Sequence, residues 1–193
     1  MRFISSRRPY RLAIAVVCAV LVSGCGGQAA DSTAAPEPTA STLPPTTTIP
    51  PLTAEEVAWL DGLPKLTKTL EEEKNKIYQA ATTGLTRALM VSLGKALGSC
   101  SRELARLGAP SDRLQPVAAV AEKACQQFSK AAKCHATVAS VSDASGGVVV
   151  GSPQQKTWER ASSCAETAEQ KGTKLLDDAL AKGSKIRSTV GVG

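Results

Sequence analysis

Apolar residues after position 53 recur every three or four positions, which is the spacing of one face of a helix. The run nearest the C-terminus is the most regular, because its steps of three and four alternate as in a heptad seam. It consists of Trp158, Ala161, Ala165, Ala168, Gly172, Leu175 and Ala179. No long stretch alternates with a period of two. The pattern predicts an all-α domain built as an antiparallel helical bundle.

Two more runs of this kind precede it. The second run of the domain holds Leu85, Leu89, Leu93, Leu97, Cys100, Leu104 and Leu107, and it stops at Gly108 and Pro110. The third run holds Leu114, Val117, Ala121, Ala124, Phe128, Ala131 and His135. Ser111 is the predicted cap of this third helix, and Pro116 is expected near its first turn. Gly94 and Gly98, four residues apart, either let another helix approach closely or only weaken their own helix.

The domain is predicted to begin at Thr53, because Thr53-Ala54-Glu55-Glu56 has the form of a capping box. Val57 and Leu60 are expected to share the buried face of the first helix. Gly62 and Pro64 are predicted to break or kink that helix. Leu66, Leu70 and Ile77 then continue the apolar pattern.

The number of helices depends on Thr82-Thr83-Gly84. An unbroken helix from Lys65 to Leu107 would be about 64 Å long, which is long for a domain of this size. We therefore expect a break there, so that the bundle has three to four helices. The glycine-rich stretch from Ser142 to Pro153 is expected to be a flexible connection, in which Val148–Val150 make a small apolar contact.

The first 24 residues have a different pattern. Four arginines precede an almost unbroken apolar run from Leu12 to Val22, and the run ends in Ser23-Gly24-Cys25. A positive start, a short apolar core and small residues at its end are typical of a secretory signal peptide. The apolar run has about half of the residues that a helix needs to cross a hydrocarbon core of ~30 Å.

Val22-Ser23-Gly24-Cys25 resembles the lipobox of bacterial lipoproteins, in which an aliphatic residue, a small residue and Gly or Ala precede a cysteine. The resemblance implies that the signal peptide 1–24 is removed and that a lipid is attached to the Cys25 thiol. It also implies a lipid-anchored protein on the extracytoplasmic face of the cell membrane. Ser6-Arg7-Arg8-Pro9-Tyr10 resembles a twin-arginine export signal, so general and twin-arginine export both stay open.

Residues 25–52 are predicted to be a lipidated N-terminus followed by a flexible tether. Six of the eleven prolines lie between Pro36 and Pro51, among Ala, Thr, Ser and Gly. Such a stretch favours an extended path and buries too little apolar surface to fold. Residues 53–193 are then the helical bundle domain.

The charge of +6 does not indicate a nucleic-acid-binding protein. Four of the 23 basic residues lie in the leader and none of the 17 acidic ones does. The rest of the chain carries 19 basic and 17 acidic side chains, a net charge of about +2. We therefore predict no nucleic-acid partner.

Four cysteines remain besides Cys25 and Cys18, the latter inside the leader. Cys125 and Cys134 lie nine residues apart on one predicted helix, about 13 Å, which is too far for a disulfide. Partners across an antiparallel hairpin lie equally far from its turn. The midpoint of Cys100 and Cys125 falls beside the Gly108–Ser111 turn, and that of Cys134 and Cys164 falls in the glycine-rich stretch. The predicted disulfides are therefore Cys100–Cys125 and Cys134–Cys164, with no metal site.

Sequence motifs for catalysis are absent: no nucleophile elbow, phosphate-binding loop or zinc-protease motif occurs. His135, the one histidine, lies on an apolar stripe and is expected to be packed there; its alternative role is that of a ligand or a base. We predict no cofactor and a non-catalytic binding domain, whose partner is an envelope protein or a wall component. The alternatives are an enzyme or accessory subunit that uses a carboxylate and His135, and a carrier of a small hydrophobic ligand.

Overall fold

The computed structural model describes residues 49–81 and 84–190, and this part of the chain is helical without strands. Five helices follow one another in it: α1 (Ala54–Ala80), α2 (Arg87–Gly98), α3 (Cys100–Ala105), α4 (Gln115–Val141) and α5 (Gln155–Val190). Ser99 between α2 and α3 has helical dihedral angles, with φ −76° and ψ −16°, so the two follow one path. The predicted all-α bundle is confirmed. It has four helical segments, namely α1, α2 together with α3, α4, and α5.

The four helical segments alternate in direction. At one end of the bundle the Ser111 hydroxyl donates to Glu56, and Arg187 contacts Asp61, which places the start of α1 beside the start of α4 and the end of α5. At the other end the Arg87 N–H donates to the Ala144 carbonyl at 3.4 Å. The bundle therefore runs up, down, up and down, with α4 against both α2 and α5.

Both disulfides link α4 to a neighbouring helix. Cys100 and Cys125 join α3 to α4 and are buried, with 0% and 2% of their surface exposed. Cys134 and Cys164 join α4 to α5 and are half-buried. These are the pairs that equal distance from the turns predicts.

The interior is made of leucines and alanines. Leu63, Leu93, Leu97 and Leu114 are at most 1% exposed, and Phe128 is 4% exposed. The α4 stripe from Leu114 to His135 is buried along its whole length, as predicted. A smaller cluster of Met90, Val138, Ala139 and Ala161 lies next to the connection between α4 and α5.

The capping box that predicts the start of α1 is present. The Thr53 hydroxyl accepts a hydrogen bond from the Glu56 N–H at 3.2 Å, and a Glu56 carboxylate oxygen accepts one from the Thr53 N–H at 2.9 Å. The expected interruption near Thr82–Gly84 also agrees with the structure, since α1 ends at Ala80 and α2 begins at Arg87.

Of the break or kink predicted at Gly62 and Pro64, the break was wrong, because α1 continues through Pro64. Leu60, Leu63 and Leu66 are buried on both sides of the proline, so tertiary packing holds the helix there. The prediction for Val57 was wrong as well: it is 38% exposed, while Trp59 is 4% exposed.

Two other expectations change at the level of single residues. Ser111 does not cap α4; the N-cap is Leu114, without a side-chain hydrogen bond, and the Ser111 hydroxyl donates to Glu56 instead. In α5, Leu176 is buried and Leu175 is only half-buried, because the helix does not keep a strict heptad repeat.

The connection between α4 and α5 is hydrogen-bonded. The Trp158 indole N–H donates to the Ser142 hydroxyl and to the Gly146 carbonyl, both at 3.1 Å. Gly146 has a φ of 87°, and a Cβ there would lie 1.9 Å from the Leu85 carbonyl oxygen. Val149 and Val150 are 67% and 50% exposed, so the expected apolar contact is not made by them.

Candidate functional site

A groove runs along the outside of the bundle between α2 and α4. Its volume is about 340 Å³. A Cβ on Gly94 would lie 3.3 Å from the Ala132 carbonyl oxygen, so the two helices approach closely at this glycine. The depression forms because Gly94 has no side chain and those of Ala132 and Ala136 are short. The groove is lined by Met90, Val91, Gly94, Lys95, Ser129, Ala132, Lys133 and Ala136.

The edges of the groove are positively charged. Lys95 of α2 and Lys133 of α4 line it, and neither ammonium group has a hydrogen-bond or ion-pair partner among the described residues. Together α2 and α4 carry five basic residues, Arg87, Lys95, Lys123, Lys130 and Lys133, against the single acid Glu122. Residues 25–193 carry 19 basic and 17 acidic side chains, so α2 and α4 hold an excess of positive charge relative to the rest of that range.

The groove also offers apolar surface. Val91 at its edge is 42% exposed, whereas Met90 beneath it is 5% exposed. An exposed aliphatic side chain beside unpaired cations fits a ligand that has both an apolar and an anionic part.

A small pocket lies beside the Phe128 ring and opens to the surface between Glu71, Lys74 and Asp177. The cavity next to Leu70, Leu97, Phe128 and Leu176 has a volume of about 10 Å³, which is close to the minimum for one water molecule. A hydrophobic ligand between the helices would need a pocket of about 300 Å³ or more.

His135 lies in a buried polar cluster. Its Nε2 is 2.5 Å from a Glu169 carboxylate oxygen, and the other oxygen of Glu169 accepts a hydrogen bond from the Tyr78 hydroxyl at 3.3 Å. The side chains of His135 and Glu169 are 8% and 10% exposed. Neither residue lines the groove or the small cavity. The cluster therefore connects α4, α5 and α1.

The role of Glu169 was not predicted from the sequence. The signal for it was present, because Glu169 follows Ala165 by four residues and precedes Gly172 by three, which puts it at the edge of the buried seam of α5. A lone carboxylate at such a position implies a polar partner on the facing helix.

The entry to α1 holds a second set of polar contacts. The pKa of Glu56 lies below its ordinary value of 4.5, first because the Ser111 hydroxyl donates to its carboxylate. The Thr53 N–H and the nearby Arg113 lower it further, and burial opposes them. Arg113 also donates to the Pro50 carbonyl at 3.0 Å, and Leu52 packs against the core. The last residues of the expected tether thus contact the bundle.

The predicted signal peptide 1–24, the predicted lipidation site Cys25 and the predicted tether up to residue 48 lie outside the described residues. Within the described ranges, no helix is both long and apolar enough to cross a membrane. The same ranges hold no group of three or more His, Cys, Asp or Glu side chains arranged for a metal ion.

Comparisons with known proteins found no similarity: no family model, no curated protein and no solved structure matches this chain.

Proposed function

We propose that the protein is a lipid-anchored envelope protein whose helical bundle is a binding module without catalytic activity. The lipobox at Val22–Cys25 supports the anchor, and the proline-rich segment supports a domain held at a distance from it. The partner in this proposal is another envelope protein or a wall component on the extracytoplasmic face of the cell membrane.

The α2–α4 groove is the observation that carries the proposal. It joins an exposed apolar side chain, Val91, with two unpaired ammonium groups. The bundle offers this space on its surface, while the cavity beside Phe128 is the size of a single water molecule. The larger of these two spaces thus favours binding at the surface over the carriage of a small hydrophobic ligand beside Phe128.

The alternative of an enzyme with a His135 site has less support. His135 and Glu169 are within hydrogen-bonding distance, as a base and its orienting acid would be. Both are buried, however, and each satisfies the other, which is the arrangement of a structural pair.

Photo-crosslinking in intact cells tests the proposed function. A diazirine-bearing residue replaces Val91 at the groove, and in a matched strain it replaces the exposed Glu166 on α5. We expect a discrete adduct from position 91 and none from position 166, and we expect the adduct to decrease when Cys25→Ser removes the anchor. Equal adducts from both positions, or none from either, would contradict a binding site in the groove.

A further inference from the structure

The charge and shape of the α2–α4 groove indicate the kind of partner it accepts. We propose that the groove binds an amphipathic helical segment of a partner protein, with carboxylates that pair with Lys95 and Lys133 and apolar side chains that fill the floor. This inference rests on the proposed function, because it names the chemistry of the partner at the same site.

The groove is complementary in charge to an acidic ligand. The ammonium groups of Lys95 and Lys133 come from opposite walls of the groove and have no anionic partner in the described chain. A ligand that places one carboxylate on each wall pairs both cations, whereas a basic segment is repelled by them. Because these groups are solvent-exposed, the pairing weakens with added salt.

The length of the groove fits a short helix. Its residues on α4 run from Ser129 to Ala136, a rise of about 10 Å along the helix. This length matches about two turns of a docked helix, whose apolar side chains at positions i, i+3 and i+4 face the groove. The small residues Gly94, Ala132 and Ala136 provide room for them.

The small residues that line the groove favour a protein helix over a membrane surface. A bilayer interface is bound by apolar side chains that protrude from a helix and enter the lipid. Gly94, Ala132 and Ala136 line the depression here, so few large apolar side chains protrude from it to enter lipid. An anionic vesicle that binds at this site instead would overturn the assignment.

The test uses the full mature chain, residues 25–193, with Cys25→Ser. The probe is a fluorescein-labelled designed helical peptide that carries Leu and Glu at i, i+3 and i+4 positions, and its twin carries Lys in place of each Glu. Fluorescence anisotropy gives the affinity of both peptides. We expect the acidic peptide to bind at least tenfold more tightly than the basic one, and we expect this preference to decrease with added salt.

Two groove variants and one control locate the binding. Lys95→Glu with Lys133→Glu is expected to weaken the acidic peptide about tenfold, the sum of two exposed ion pairs, and to turn the preference toward the basic peptide. Ala136→Trp fills the groove without changing its charge and is expected to weaken both peptides. The control replaces two exposed lysines of α5, Lys171→Glu and Lys182→Glu, which leaves the groove and its affinity unchanged.

The outcomes separate this inference from the proposed function. Equal affinity of the two peptides, or an equal loss in the α5 control, would overturn the inference. So would binding of phosphatidylglycerol vesicles that requires Lys95 and Lys133 without any peptide binding. If position 91 still gives its discrete adduct in cells while the peptides show no lysine dependence, the groove remains a binding site and the acidic helix is the wrong occupant.

Discussion

His135 and Glu169 are the polar pair inside a core made mostly of alanine and leucine. Each side chain is about nine-tenths buried, and their contact of 2.5 Å links α4 to α5. A buried polar group is tolerated because its partner replaces the lost water, and the loss of one partner leaves the other uncompensated. The pair thus contributes to the fold in a way that depends on both members.

Replacing His135 alone tests this dependence. We expect His135→Leu to lower the free energy of unfolding by about 3 kcal/mol, because it leaves the Glu169 carboxylate buried with the Tyr78 hydroxyl as its remaining contact in the cluster. The double variant His135→Leu, Glu169→Leu should recover about 1–2 kcal/mol of that loss. Urea denaturation of the wild type, His135→Leu, Glu169→Leu and the double variant gives the values. Additive effects of the two substitutions would show that the pair is not coupled.

Glu56 acts at the other end of the bundle, where it caps α1 and accepts a hydrogen bond from Ser111. Because its pKa is lower in the folded protein than its ordinary value of 4.5, ionised Glu56 stabilises the fold. This contribution is fully present above about pH 4.5 and is lost as the pH falls through the lower folded value.

The prediction for Glu56→Gln follows from that sign. The variant should be less stable than the wild type at neutral pH, and the difference should disappear as the pH falls well below 4.5. Thermal unfolding between pH 7 and pH 2.5 measures it. Glu55→Gln, in the same turn but exposed, is the matched control and should leave the pH profile unchanged. A stability difference that persists unchanged at the lowest pH would contradict this role of the carboxylate.

At the scale of the helices, α5 packs against α4 through small residues. A Cβ on Gly172 would lie 2.8–3.0 Å from three ring atoms of Phe128, so the aromatic ring occupies the space that this glycine leaves open. The glycine weakens α5 locally and allows the largest side chain of the α4 stripe to enter the core.

Gly172→Ala should therefore destabilise the protein by about 1–2 kcal/mol, because the clash with Phe128 exceeds the gain in helix propensity. Gly98→Ala is the matched control. There the new Cβ meets the Ala132 methyl at 3.7 Å, an ordinary contact, so we expect no loss and a gain of up to about 1 kcal/mol. Chemical denaturation of both variants decides. Destabilisation by Gly98→Ala and tolerance of Gly172→Ala would contradict the packing described here.

Local chemistry made several elements predictable from sequence. The capping box at Thr53, the interruption before Arg87 and the stripe of α4 depend on residues close in the chain, and all three are present. The disulfides could be placed because an antiparallel hairpin fixes which positions are level with each other.

Other features depend on tertiary packing and were missed. The buried leucines before and after Pro64 hold α1 in place there, which the local preference of proline does not reveal. Ser111 has the composition of a cap but donates to Glu56, 55 residues away. The groove between α2 and α4 arises where Gly94 meets Ala132, and nothing in either segment alone indicates that the space is left open.

At the scale of the whole molecule, the two disulfides link three of the four helical segments, because they join α3 to α4 and α4 to α5. Each closes a loop of 25 or 30 residues, for which the loss of unfolded-state entropy corresponds to about 3.5 kcal/mol. Such a contribution is a large share of the stability of a domain of this size.

The two disulfides should differ in their reactivity. Cys134 and Cys164 are half-buried, while Cys100 and Cys125 are buried. Under native conditions we expect a mild dithiol reductant to open Cys134–Cys164 first, as measured by alkylation and mass spectrometry. The double variant Cys134→Ala, Cys164→Ala should lose about 3.5 kcal/mol of stability. Faster reduction of Cys100–Cys125 in the folded protein would contradict the burial found for that pair.

The proposed lipid anchor is what would place the bundle at the membrane, so the proposal of a lipid-anchored binding module is tested most directly at the mature N-terminus. Mass spectrometry of the protein purified from its native membrane should show a chain that begins at Cys25 and carries a diacylglycerol on the cysteine sulfur. Metabolic labelling with palmitate should give a signal that Cys25→Ser abolishes. An unmodified N-terminus at another residue, or lipid labelling that survives Cys25→Ser, would contradict the claim.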